Sequence, residues 1–139
     1  MTIYLDTSAA IKLVHAETHS RELSDWLQQS ENENLISSAL ILVETHRAVR
    51  RIEPSLASRA NHVLSRIHHI AMATPILERA AAFPSADLRS LDAIHLATAT
   101  YVRDEGLAAI DAFVTYDVRL ATLANEHGLR TVSPGVYVQ

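Results

Sequence analysis

Short apolar runs ending in or near a carboxylate alternate with amphipathic stretches along this chain, and that alternation leaves few folds open. Residues 2–5 are apolar and β-rich, and Asp6 closes the run. Leu35-Ile36-Ser37, the 70–74 segment, residues 112–115 and residues 130–133 have the same short, strand-like character. Between them lie helical patterns over 7 to about 15, 18 or 20 to 28, 39–52, 55–68, 75–83, 90–105 and 117–127. Asp6, Thr7 or Ser8 would cap the first helix and Thr18 or Ser20 the second. Asn32-Glu33-Asn34 reads as a turn, and Pro54 ends the third helix. Pro75 suits a first helical turn and Pro84 a stop, while Gly106 and Gly128 close the later helices. Strands alternating with helices imply parallel β-α-β units. The expected fold class is α/β, a three-layer α/β/α sandwich with a central parallel sheet. We expect one domain over residues 1–139, since no repeat, linker or low-complexity tract interrupts the pattern.

Four acids stand out in this frame. Asp6 and Asp117 follow apolar runs and fall at strand carboxyl ends, where open α/β sheets place their ligands. Glu44 sits in the helical run Leu40-Ile41-Leu42-Val43-Glu44, and Asp92 in Ser90-Leu91-Asp92-Ala93-Ile94-His95-Leu96-Ala97. A carboxylate in apolar surroundings costs free energy unless something compensates it. No lysine or arginine is adjacent to any of the four in sequence, which points to a divalent cation. Oxygen ligands suit Mg²⁺ or Mn²⁺ better than zinc. Such a site orients water against a phosphodiester or another phosphoryl group.

Each acid also has a plainer reading. Asp6 and Asp117 could be helix caps, Glu44 a surface partner of Arg47, and Asp92 a first-turn acid favoured by the helix dipole. Ser90 looks the better cap, which leaves Asp92 the hardest to dismiss. One shared site accounts for all four more simply.

Composition removes several classes. The formal charge of −4 argues against nucleic-acid binding by phosphate neutralisation alone, but not against binding through a metal. With no cysteine there are no disulfides or thiolate sites, which fits a cytoplasmic protein. No apolar stretch approaches the roughly 18 residues of a membrane span, and the N-terminus does not read as a secretory signal.

The residues then carry a resemblance. Tyr4-Leu5-Asp6-Thr7-Ser8-Ala9, Val43-Glu44, Leu91-Asp92-Ala93-Ile94-His95-Leu96-Ala97-Thr98-Ala99 and Phe113-Val114-Thr115-Tyr116-Asp117, in that order and spacing, resemble the PIN-domain ribonucleases. The similarity is strongest to the VapC toxins of toxin–antitoxin pairs. It spans essentially the whole chain; the opening motif alone is weak, and the Asp92 segment is specific. It implies a PIN-like fold, Mg²⁺- or Mn²⁺-dependent endoribonuclease activity and a cognate VapB antitoxin. It implies that Asp6, Asp92 and Asp117 hold the principal metal, while Glu44 helps bind metal or activates water. Thr7 or Ser8 and Thr115 match its accessory hydroxyl positions. The implied reaction is in-line attack by water, leaving a 5′-phosphate and a 3′-hydroxyl. The family commonly has a further acid near the last one, whereas here Val118, Arg119 and Leu120 follow Asp117, which leaves a second metal open.

Other residues are weighed lower. His95, three positions after Asp92, reads as a packed or hydrogen-bonded histidine rather than a ligand. His68 and His69 read as surface residues diverging on a helix, and Tyr4 and Phe113 as core. Arg47 and Arg51, on the Glu44 stripe, and Arg89, before the Asp92 helix, are candidate RNA phosphate contacts, set against an ordinary solvated face. The apolar helices between Leu40 and Ile67 offer surface for a homodimer or an antitoxin segment. The alternative function is a non-catalytic or degenerate PIN-like binding module, but none of the four acids is missing. An aspartic protease would need a β-rich fold behind Asp6-Thr7-Ser8-Ala9. A haloacid-dehalogenase phosphatase would need an acid where Ser8 stands, and a receiver domain would need paired acids and a late lysine.

Overall fold

β1 (Thr2–Leu5) carries an alternation that builds the molecule outward on both sides. Ile3 and Leu5 enter one apolar core with Ala9, Leu23, Ile41 and Leu64, whereas Tyr4 enters another with Leu96, Phe113 and Leu120. Successive strand side chains point to opposite faces, so a sheet buried on both sides needs a helical layer on each. This computed structural model describes residues 1–30 and 33–136. Among them a five-stranded sheet has the order β3-β2-β1-β4-β5, and every pairing is parallel. The other strands are β2 (Asn34–Ser38), β3 (His68–Ile70), β4 (Ala112–Val114) and β5 (Thr131–Val132). The helices are α1 (Thr7–Val14), α2 (Ser20–Gln29), α3 (Leu40–Ile52), α4 (Ala57–Ser65), α5 (Thr74–Ala82), α6 (Ser90–Asp104) and α7 (Val118–Glu126). The expected three-layer α/β/α arrangement is the observed one.

The sheet order places the site. From β1 the chain builds outward through β2 to β3, then returns to add β4 and β5 on the other side of β1. The direction of growth therefore reverses at the β1–β4 pair, the switch point where such sheets leave a crevice beyond their carboxyl ends. Leu5 pairs with Val114 there, so Asp6 and Thr115 are the first residues past the paired ends.

Several boundaries depart from the sequence reading. The third strand is His68–Ile70 rather than 70–74, so His68 and His69 lie on a strand and not on a helix. They pair with Ile36 and Ser37, and as the outer strand β3 tolerates polar side chains. The helix expected over 55–68 is a 3-10 turn at Pro54–Leu56 followed by α4, which stops at Ser65 to free the chain for β3. α2 has neither Thr18 nor Ser20 as its cap: His19 holds that position in the left-handed conformation, φ 71°, and Ser20 is the first helical residue. Arg89, not Ser90, occupies the cap position of α6. Asn34 opens β2 instead of ending a turn, and Asn32 lies outside the described residues. Among the described residues no helix is long and apolar enough to cross a membrane.

Candidate metal-binding active site

Asp6 is 4% exposed, and its carboxylate accepts three hydrogen bonds among the described residues. Its Oδ1 accepts from the Ser8 hydroxyl at 2.6 Å and from the Ala9 backbone N–H at 3.0 Å, and its Oδ2 accepts from the Thr115 hydroxyl. The N-cap reading of Asp6 thus holds, since Ala9 is in the first turn of α1. A cap alone does not require the two hydroxyls. Burial pushes the Asp6 carboxyl above the ordinary carboxylate range, against the charge of His95 and the three hydrogen bonds. Ser8 and Thr115 also tie the far side of the crevice. The Ser8 oxygen accepts from the Tyr116 N–H at 2.9 Å, and the Thr115 oxygen from the Asp117 N–H at 3.1 Å.

Asp117 caps α7, its Oδ1 accepting from the N–H groups of Arg119 and Leu120 at 2.9 and 3.1 Å. Its plainer reading therefore also holds, but only one of its two oxygens is spent. Asp92 lies in the first turn of α6, half-buried, and among the described residues neither of its oxygens accepts a hydrogen bond. Its carboxyl is raised by burial first, then by the negative charges of Asp117, Asp6 and Glu44, with His95 opposing. The helix-dipole reading of Asp92 does not explain that repulsion. Three carboxylates, from the β1–α1 junction, α3 and the β4–α7 junction, act on the fourth.

Glu44 departs from its expected surface pairing with Arg47. Its Oε1 accepts from the Thr7 hydroxyl at 2.6 Å and lies 2.7 Å from His95 Nε2. Burial alone would raise the Glu44 carboxyl, but the hydrogen bonds from His95 and Thr7, with the His95 charge, outweigh it and hold the group below its usual value. Arg47, Arg51 and Arg89 are exposed and make no ion pair or side-chain hydrogen bond among the described residues.

The donor set fits a hard cation. It is all oxygen, it carries net negative charge, and Asp92, Asp117 and Glu44 each keep an oxygen without a hydrogen-bond donor. Among the described residues, no three His, Asp or Glu side chains stand close enough to enclose an ion as placed. Asp92 is the untethered member of the four, with no hydrogen bond to its carboxylate among the described residues.

Two participants go beyond what the sequence pattern implies. Tyr4 was assigned to the core, and it is fully buried and stacked on Phe113 with ring centroids 5.0 Å apart. Its hydroxyl nevertheless meets His95 Nδ1 at 2.8 Å and accepts from the Ser38 N–H at 3.1 Å. His95 is the hydrogen-bonded histidine expected, but its partner is a site carboxylate. The signals were present: Tyr4 and Asp6 are two apart along one strand direction, and Asp92 and His95 three apart on one helix.

Comparison with known proteins bears on this arrangement. The family model for the PIN domain matches residues 3–126. Ribonuclease VapC35 of Mycobacterium tuberculosis is 43% identical over 133 residues, which cover 96% of this chain and 97% of that protein. Ribonuclease VapC47 of the same species is 40% identical over 136 residues, with 96% and 97% covered. Among solved structures, Mycobacterium tuberculosis VapC20, described as a sarcin–ricin loop cleaving toxin, superposes with a TM-score of 0.73. It shares 17% identity, and the match covers 95% of this chain and 99% of that one. A toxin–antitoxin complex from Klebsiella pneumoniae gives a TM-score of 0.62 at 22% identity, covering 84% and 88%. At those identities the two structures speak to the fold, while the family match and the closer relatives speak to descent. The chain belongs to the PIN-domain family, among its VapC ribonucleases.

Proposed function

We propose that this protein is a divalent-metal-dependent endoribonuclease, the toxin of a type II toxin–antitoxin pair, and that Asp6, Glu44, Asp92 and Asp117 form its active site with Mg²⁺ or Mn²⁺. The observation that carries the site is geometric: Asp6 and Asp117 stand just past the carboxyl ends of the paired strands β1 and β4, with Glu44 tied to Thr7 beside Asp6, and the Asp92 carboxyl is raised by burial and by all three. Membership among the VapC ribonucleases supports the activity.

The residues divide the work by how they are held. Asp6 is the fixed ligand, immobilised by Ser8, Ala9 and Thr115. Asp117 is anchored through one oxygen to the start of α7 and offers the other. Asp92 closes the set, and Glu44 takes up or orients the water that attacks the phosphodiester. The bound ion would supply positive charge for the scissile phosphate and lower the barrier to forming a hydroxide nucleophile. Thr7, Ser8 and Thr115 position the carboxylates without touching RNA. Arg47, Arg51 and Arg89 meet phosphates outside the crevice. The relatives' toxin–antitoxin setting supports a VapB-type antitoxin as partner. The exposed Leu42 and Val43 of α3, beside Glu44, provide apolar surface for it or for a second copy of this chain.

The test is cleavage of structured and unstructured RNA by the purified protein with Mg²⁺ or Mn²⁺. Cleavage leaving 5′-phosphates, abolished by chelation and by Asp92→Asn, is expected. Cleavage that survives both treatments would overturn the site.

A further inference from the structure

We infer that His95 is a positioning residue for Glu44, holding one carboxylate oxygen through a directed hydrogen-bond relay from the Ser38 backbone through Tyr4. The inference rests on the proposed role of Glu44 at the metal site.

The direction of the relay follows from proton counting. The Ser38 N–H can only donate, so the Tyr4 oxygen accepts from it at 3.1 Å. Tyr4 is fully buried, and its hydroxyl lies 2.8 Å from His95 Nδ1, with the Ser37 and Thr98 hydroxyls also beside it. Burial also raises the Tyr4 phenol, so that proton stays on the hydroxyl. In the neutral ring only one nitrogen carries a proton, and the partner that can only accept decides which. The ring's proton sits on Nε2, where a carboxylate, which only accepts, lies 2.7 Å away at Glu44 Oε1. Thr7 donates to the same oxygen at 2.6 Å. Thr7 Oγ1 also lies 3.2 Å from His95 Nε2, so Thr7, His95 and Glu44 close on one another. The opposite tautomer would set an Nε2 lone pair against the Glu44 carboxylate and lose that bond.

The consequence is specific to Glu44. It is the one acid of the four that lies inside a helix away from its first turn, and it has the longest side chain. Asp6 and Asp117 are fixed by local capping bonds; Glu44 has no such bond and depends on His95 from α6 and Thr7 from α1. Both bonds converge on Oε1, which leaves Oε2 for metal or water. With both ring nitrogens committed, His95 is not itself a ligand. Outer partners that orient a ligating carboxylate typically change metal affinity or activity by 10- to 100-fold on removal.

The experiment pairs two readouts. In metal-free protein in mildly alkaline buffer, ¹⁵N NMR of the His95 ring should show a protonated Nε2 and an unprotonated, hydrogen-bonded Nδ1. Tyr4→Phe should lose that Nδ1 signature. Two equivalent or exchange-averaged nitrogens in the wild type would overturn the relay. In cleavage assays, Tyr4→Phe and His95→Leu should lower kcat by on the order of 10- to 100-fold with KM for RNA little changed. His95→Gln, whose amide can still donate to Glu44, should recover most of the loss. On a Glu44→Gln background, the His95 and Tyr4 changes should add little further. Full activity in folded Tyr4→Phe and His95→Leu, with Asp92→Asn inactive, would overturn the positioning role and leave the metal site standing. Full activity in Asp92→Asn and Glu44→Gln as well would instead sink the underlying site reading.

Discussion

Asp92 tests the proposed site more sharply than the other three acids. Its proton is held by burial first and by its acidic neighbours next, and no hydrogen bond offsets them. In metal-free protein, Asp92→Asn should therefore be at least as stable as wild type while cleavage is lost. A structural ion-pair member would instead cost about 3 kcal/mol or more on removal; chemical denaturation in chelator decides between them. The pH dependence carries the same sign. Asp6 and Asp92 titrate above their unfolded values in the folded protein, so the stability they contribute is complete below the ordinary aspartate value, about 3.9. It is lost as pH rises through their raised folded values. Glu44, held low, contributes in the opposite sense: its share is present above its ordinary value and is lost as pH falls through the folded one. Stability of the metal-free protein should thus fall with rising pH just above the carboxylate range, and less steeply in Asp92→Asn. An identical pH slope in both would remove Asp92 from the coupled set.

At the level of elements, caps and proposed ligands coincide, and this limits what a motif reading can separate. Asp117 caps α7 and stands at the crevice with the same side chain. Asparagine caps a helix about as well as aspartate, whereas alanine costs about 1 kcal/mol. Asp117→Asn should keep the metal-free melting temperature and lose the response to Mn²⁺; Asp117→Ala should lose both. Unchanged metal response in Asp117→Asn would leave Asp117 a cap only. The strand–helix alternation was legible because both cores impose it: β1 supplies Ile3 and Leu5 to one face and Tyr4 to the other. β3 was misplaced because His68 and His69 lack the apolar signal of a strand. Their placement comes from pairing to β2, a non-local constraint. Glu44's partner was misjudged for a related reason. Helix spacing suggested Arg47, but the packing of α3 against α6 brings His95 to it from fifty-one positions away. The acids themselves were readable because each sits where the chain leaves an apolar run or interrupts one.

For the whole molecule, the net charge of −4 sets a condition on RNA binding. On the proposed function, attraction has to be local, through the metal and a few arginines, because the overall field repels phosphate. Arg51→Ala should weaken RNA binding across sequences and reduce the salt slope by about one unit, read by titrations at several salt concentrations. An unchanged slope returns Arg51 to ordinary solvated surface. The sheet order draws Asp6 and Asp117 to one crevice, and α6 and α3 bring Asp92 and Glu44 to it. Whether that crevice is a metal site is tested most directly by thermal unfolding against Mn²⁺ concentration, with Asp92→Asn beside the wild type. At ten times its dissociation constant the ion should add about 1.4 kcal/mol, a rise of roughly 3–6 °C for a chain of this size. A saturable rise in the wild type that is absent in Asp92→Asn is the expected result; equal rises in both, or none in either, would contradict a metal site built on these acids.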